Sequence, residues 1–231
     1  ASVMDVSHMT IRRDVEVLKE RNLVDIFHGG VVLRDNKQTK RDPYSLSVAN
    51  KQMNQEKKNI AVKAAALIKS EDIISLDTGS TMEYCARALP DCISITVICF
   101  TLNSLVHVSK LEMADIIFPG GYFHKNTLMF ESKEGIKLIT GNPATTAFIS
   151  ASGVNLEIGV SCSNGYELKT KTEMIKSADQ KVLLVDSSKF DKVKSTLFAE
   201  LTDFDVIISD KGIPDEYTIY CKNNGIELIL V

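Results

Sequence analysis

Residues 60–81 read IAVKAAALIKSEDIISLDTGST. Ile60 to Ile68 carries apolar residues at helical spacing, and Asp72-Ile73-Ile74-Ser75-Leu76-Asp77 is a short apolar run of the kind that forms a buried strand. Asp77-Thr78-Gly79-Ser80-Thr81 then reads as a loop before a helix expected to start near Met82. Gly79 allows a tight turn. Ser80, Thr81 and the nearby N–H groups could hold an anion at the helix amino end, with phosphate the natural guest, or they could serve only as a helix cap.

Outward from this unit toward the carboxyl end, further strands are expected at Ile93–Cys99, Asp115–Phe118, Ala147–Ala151, Lys181–Val185, Asp205–Ser209 and Ile226–Val231, with room for helices between most of them. That alternation predicts an α/β fold with a mostly parallel, Rossmann-like sheet covered on both faces. Ligands then belong at the carboxyl ends of the strands. Two more polar loops follow strands there: Pro119-Gly120-Gly121-Tyr122 and Asp186-Ser187-Ser188-Lys189-Phe190. Asp186 could take a sugar hydroxyl and Lys189 a phosphate, or the two could pair with each other. Three such loops on one edge suggest a small, polyol-like, anionic ligand. Glu167 and Lys171, one helical turn apart, read as a surface ion pair.

Toward the amino end, RDNKQTKRDPYSLSVANKQMNQE at 34–56 is polar with one Pro, which places a linker at 35–56, partly helical after Pro43, ahead of a sensing and oligomerisation domain at 57–231. Residues 1–34 form a separate unit. Ser7 can cap a helix running from Met9 to Leu18, whose Ile11, Val15 and Leu18 make one buried face; His8, Thr10, Arg12, Arg13 and Lys19 lie on the other. Ala1–Val6 reads as the tail of a preceding helix and a turn. Two short strand-like runs around His28-Gly29-Gly30 form a hairpin. Together these make a partial winged helix-turn-helix. A helix of this kind fits the major groove of duplex DNA, and Arg12 or Arg13 suits either a guanine edge or a phosphate. The alternative is an ordinary surface helix, since residues 1–34 balance five Lys/Arg against five Asp/Glu.

The totals bound the function. A 231-residue chain, 44% hydrophobic and 25% charged, has the composition of a globular protein. Without a long apolar run or a leader-like start, it is expected in the cytoplasm with no membrane partner. The net charge of −3 is uneven: residues 1–58 carry 11 Lys/Arg against 8 Asp/Glu, and the remainder 16 against 22. The positive end is therefore the one that would meet DNA. Cys85, Cys92, Cys99, Cys162 and Cys221 show no metal-ligand spacing and read as buried free thiols. No cofactor or metal is expected.

Ser7-His8-Met9-Thr10-Ile11-Arg12-Arg13-Asp14-Val15, with Leu18, Leu23-Val24 and His28-Gly29-Gly30-Val31, strongly resembles the DNA-binding signature of DeoR-family bacterial repressors. The likeness continues at 60–68, 76–81, Gly120-Gly121, 147–154, Glu167 to Lys171 and 185–190. It implies that Ser7, Thr10, Arg12 and Arg13 lie at the DNA, with Asp14 orienting the arginines and His8, Lys19, His28, Gly29 and Gly30 beside them. It also implies a sensing domain similar in fold to ribose-5-phosphate isomerase, with Asp77, Gly79, Ser80, Thr81, Gly120, Gly121, Lys171, Asp186 and Lys189 as contacts to a phosphorylated sugar. A further helix and a basic arm are expected upstream of Ala1. The expected protein is a homodimer or homotetramer that represses a sugar-catabolism operon.

The chain also departs from that pattern. Cys99-Phe100 stands where Thr-Asn is usual, removing a polar pair expected to face the sugar, and Glu131-Ser132 replaces a usual glycine. An oligomerisation platform with a decayed site is therefore a competing reading. A sugar-phosphate isomerase or deaminase is another, but it needs a base beside the phosphate loop, and His8, His28, His107 and His124 fall in the head, a helix and a loop.

Overall fold

A computed structural model describes residues 7–21, 23–27, 30–33, 45–50 and 52–231. In the head, α1 (His8–Glu20) starts where Ser7 Oγ accepts the Thr10 N–H at 3.1 Å. β1 (Val24–Phe27) and β2 (Gly30–Leu33) form an antiparallel ribbon, Phe27 opposite Gly30. The buried face is narrower than the sequence suggests: Ile11 and Val15 are half-buried, whereas Leu18 is exposed. One helix against a two-stranded ribbon covers only a thin stripe. His28, Gly29 and the expected turn before Ser7 lie outside the described residues.

α2 (Leu46–Ala49) is a single turn, and α3 (Asn54–Ala65) begins earlier and ends earlier than the expected 60–68 helix. After it come β3 (Ile73–Leu76), α4 (Ser80–Ala88), β4 (Ile95–Cys99), α5 (Leu102–Val108) and β5 (Ala114–Ile117). A hairpin of β6 (Tyr122–His124) and β7 (Met129–Glu131) precedes α6 (Lys133–Gly141) and β8 (Thr146–Ser150). β9 (Gly153–Asn155), β10 (Gly159–Cys162), α7 (Leu168–Ser177), β11 (Gln180–Leu184), β12 (Thr196–Ala199), β13 (Val206–Ser209), α8 (Asp215–Asn223) and β14 (Glu227–Leu230) complete the chain.

All seven strands expected for the main sheet are present, parallel, in the order β14-β13-β11-β8-β3-β4-β5. Two apolar cores lie against it, one including Ile60, Met82 and Phe148, the other including Ile149, Met174 and Tyr217. The sequence reading missed the β6–β7 hairpin and the antiparallel β12-β10-β9 sheet. Their strands are three or four residues long, too short for alternation to register.

The sheet order sets the site. From β3 the chain builds outward to β4 and β5, then returns to the opposite side of β3 with β8 and continues to β11, β13 and β14. β3 and β8 therefore flank the topological switch point, where a crevice opens at the carboxyl ends of an open α/β sheet. Four of the five cysteines are buried and free, and burial pushes the thiols of Cys85, Cys99 and Cys162 up to about 12; Cys92, contrary to expectation, is exposed. Among the described residues, no helix is long and apolar enough to cross a membrane, and no cluster of His, Cys, Asp and Glu could hold a metal ion.

Candidate functional site

At the end of β3 the chain turns through Gly79, whose φ of 102° is disfavoured for any residue with a Cβ, and enters α4 at Ser80, two residues before the expected start. Ser80 and Thr81 are buried in the first turn of that helix. Asp77 is fully buried. Its Oδ2 accepts the Ser150 N–H at 2.8 Å from the end of β8 and is bonded to Lys171 Nζ; its Oδ1 is buried with no hydrogen-bond partner. Ser150 and Lys171 thus meet Asp77 across the switch point.

Lys171 also donates to Ser150 O at 3.0 Å and lies 3.6 Å from Glu167 Oε2. Burial works to lower its pKa, but Asp77 and Glu167 outweigh burial and raise it above the ordinary lysine value. Glu167 in turn accepts the Thr78 hydroxyl at 2.8 Å and the Asn164 side-chain amide at 2.6 Å. The Glu167–Lys171 pair is therefore no surface ion pair. It is part of a buried carboxylate–lysine–carboxylate centre: Glu167 stands immediately before α7, and Lys171 lies one turn on, on the face that also buries Thr170 and Met174.

At the end of β11, Asp186 is fully buried and caps a 3-10 turn over Ser187–Lys189 by accepting the Ser188 N–H at 3.1 Å on Oδ1. Its Oδ2 has no hydrogen-bond partner and lies 3.9 Å from Lys189 Nζ. The sequence reading missed Lys57, which is 1% exposed and donates to Ala49 O and Gln52 O, both at 2.7 Å. Burial lowers its pKa to about 8; the nearby Asp186 opposes that and Lys189 reinforces it. The signal was available: Lys57 shares a helical stripe with Ile60, Ala61 and Ala64, all buried.

After β5, Gly120 and Gly121 both have positive φ. A Cβ on Gly121 would stand 2.3 Å from Glu131 O, so this glycine is required by the close approach of β7; Gly120 faces open space. The three polar loops share an edge without converging. β5 and β11 are four strand spacings apart, roughly 19 Å. A small ligand at the centre of the edge reaches the Asp77 loop and one flank.

The two departures also find their places. Cys99 and Phe100 are buried in the cores, and the polar residues after β4 are Thr101, Asn103 and Ser104; Asn103 donates to Glu83 Oε2 at 3.2 Å. Glu131 lies 2.8 Å from His124 Nε2, and Ser132 caps α6. His124 is on β6 rather than in a loop, stacked on Tyr166 at 3.5 Å between centroids. Its bond is to Glu131, outside the carboxylate–lysine centre.

In the head, His8, Arg12, Arg13 and Lys19 are exposed on α1, while Thr10 is half-buried with its hydroxyl 2.8 Å from that of Ser7. Arg13 Nε lies 3.9 Å from Asp14 Oδ1, both side chains being exposed. Gly30 opens β2.

Residues 52–211 match the family described as DeoR C terminal sensor domain, and residues 1–37 match the DeoR-like helix-turn-helix domain. The chain is 30% identical over 229 residues to the deoxyribose operon repressor of Escherichia coli strain K12, covering 99% of this chain and 89% of that one. It is 31% identical over 229 residues to the L-fucose operon activator of Haemophilus influenzae, covering 98% and 89%. Among solved structures, ribose 5-phosphate isomerase A of Neisseria gonorrhoeae aligns with a TM-score of 0.43 at 16% identity, over 60% of this chain and 53% of that one.

Proposed function

The chain belongs to the DeoR family of transcriptional regulators, and from that premise we propose that it represses a sugar-catabolism operon and releases its operator in response to a phosphorylated sugar. Residues 1–34 bind duplex DNA, 35–56 link, and 57–231 sense and oligomerise as a homodimer or homotetramer, so that paired heads meet paired half-sites. Ser7, His8, Thr10, Arg12, Arg13, Lys19 and the His28-Gly29-Gly30 wing face the operator. Relatives named for deoxyribose and L-fucose operons, one a repressor and one an activator, support a sugar-linked role.

The observation that carries the sensing half is the pair of buried carboxylate oxygens without a hydrogen-bond partner, Asp77 Oδ1 and Asp186 Oδ2, at the carboxyl edge on either side of β8. Such acceptors are costly unless a donor arrives, and sugar hydroxyls are donors. Lys189 and the amino end of α4 at Gly79, Ser80 and Thr81 supply the anion contact. A thermal-shift series tests this: a sugar phosphate stabilises the protein where the free sugar does not, and Lys189→Ala abolishes the shift. No shift with any sugar phosphate in the wild type would leave the domain as an oligomerisation platform alone.

A further inference from the structure

Residues 45–50 and 52–53, which precede α3, are bonded to the β6–β7 turn, to α4 and to Lys57 on α3. The Leu46 N–H donates to Asn126 O at 3.0 Å in the turn between β6 and β7, and the Leu46 side chain is buried. The Asn50 side-chain amide donates to Glu83 Oε2 at 3.0 Å on α4, the helix that starts at Ser80. Lys57 Nζ holds the carbonyls of Ala49 and Gln52. The segment then turns into α3 at Met53, whose left-handed φ of 51° is the kind of backbone that persists only where surrounding bonds fix it.

These anchors lead inward. Asn126 Nδ2 donates to Asn164 Oδ1 at 3.3 Å, Asn164 Nδ2 donates to Glu167 Oε1 at 2.6 Å, and Glu167 meets Lys171, which is bonded to Asp77. A continuous path of polar contacts thus joins the buried centre to the first residue of α2. A hydroxyl donating to Asp77 Oδ1 draws that carboxylate's charge away from Lys171, which then leans on Glu167 and weakens the hold of Glu167 on Asn164.

We infer that residues 45–50, with 52 and 53, form a strap whose docking reports the state of the Asp77–Lys171–Glu167 centre, with Asn50, Lys57, Asn126 and Asn164 as positioning residues. This rests on the sensing function proposed above. The linkage is thermodynamic: docking of the strap and binding at the centre affect each other by one and the same coupling free energy, and the strap continues into the segment that carries the head.

Two measurements test the strap. The first needs no ligand. Amide hydrogen exchange at Leu46, Ala49 and Asn50 is expected to accelerate at least tenfold in Asn164→Ala, a change more than 30 residues from either end of α3, while the β13 amides keep wild-type rates. Unchanged exchange at the strap overturns the inference. The second uses ribose 5-phosphate as probe and reads the ratio of operator affinities without and with it. In Lys57→Met the ratio is expected to collapse to less than twofold while the probe's thermal shift persists; an unchanged ratio overturns the inference. If no sugar phosphate alters wild-type operator affinity, the proposed function falls, and exchange alone decides the strap.

Discussion

Asp77, Lys171 and Glu167 show how much one residue's meaning depends on burial. Removing one member of a buried ionic group strands the others' charge, which typically costs 3–5 kcal/mol. Lys171→Met is therefore expected to lower unfolding free energy by about 3–5 kcal/mol in urea titration, and Lys171→Met combined with Asp77→Asn by less than the sum of the single changes. Lys57 makes a different prediction. Its folded pKa of about 8 lies below the unfolded 10.5, so between those values the unfolded chain binds the extra proton and stability rises with pH. The charge is disfavoured in full below about pH 8, with Asp186 and Glu56 opposing and Lys189 adding to the effect. Wild type should therefore gain Tm relative to Lys57→Met on going from pH 7.5 to 10. Asp77 was legible in the sequence as chemistry, since its residue type and its place in a loop after a strand suffice for that, whereas Lys171 was singled out only through the family resemblance, its own spacing from Glu167 suggesting a surface ion pair. Their mutual bond was not, because it joins residues 94 apart.

Among the elements, the central strands of the main sheet were legible because β3, β4, β8 and β13 are runs of largely β-branched and apolar residues buried on both faces. The hairpin and the small antiparallel sheet were not, and Gly121 shows why: it is set by a backbone 10 residues on, which no local pattern records. Gly121→Ala adds a clash with Glu131 O to an unfavourable φ, whereas Gly120→Ala meets only the φ penalty. The first should therefore destabilise the protein by at least twice as much as the second in thermal denaturation. On α1, helix spacing placed Arg12 and Arg13 on the exposed side, where the structure has them. Replacing either by Ala should weaken operator binding and reduce the slope of log affinity against log salt by about 1. An unchanged slope after both changes would remove that helix from the interface.

For the molecule as a whole, the α/β class followed from alternation alone, and because a parallel sheet puts every strand's carboxyl end on one side, so did the edge proposed for the sensor. The division of labour along that edge did not, since strand order is a long-range property. If the edge is the sensor, ligand at a hundred times its Kd should add about 2.7 kcal/mol to unfolding of the sheet domain, and the gain should vanish in Lys171→Met together with Asp77→Asn.

The pairing of β3 with β8, Ile74 opposite Thr146, also has a consequence in time. α1 and its ribbon can form as soon as their own residues have left the ribosome, whereas β3, though β4 follows soon after it, waits for its second partner, made 72 residues later, and Asp77 waits longer still for Lys171. Closing a loop of that length costs about 4 kcal/mol of chain entropy, so the centre should assemble late in folding. A nascent or prematurely ended chain would then carry a reading head before it carries a working sensor, and the order of synthesis itself would place DNA recognition ahead of its control.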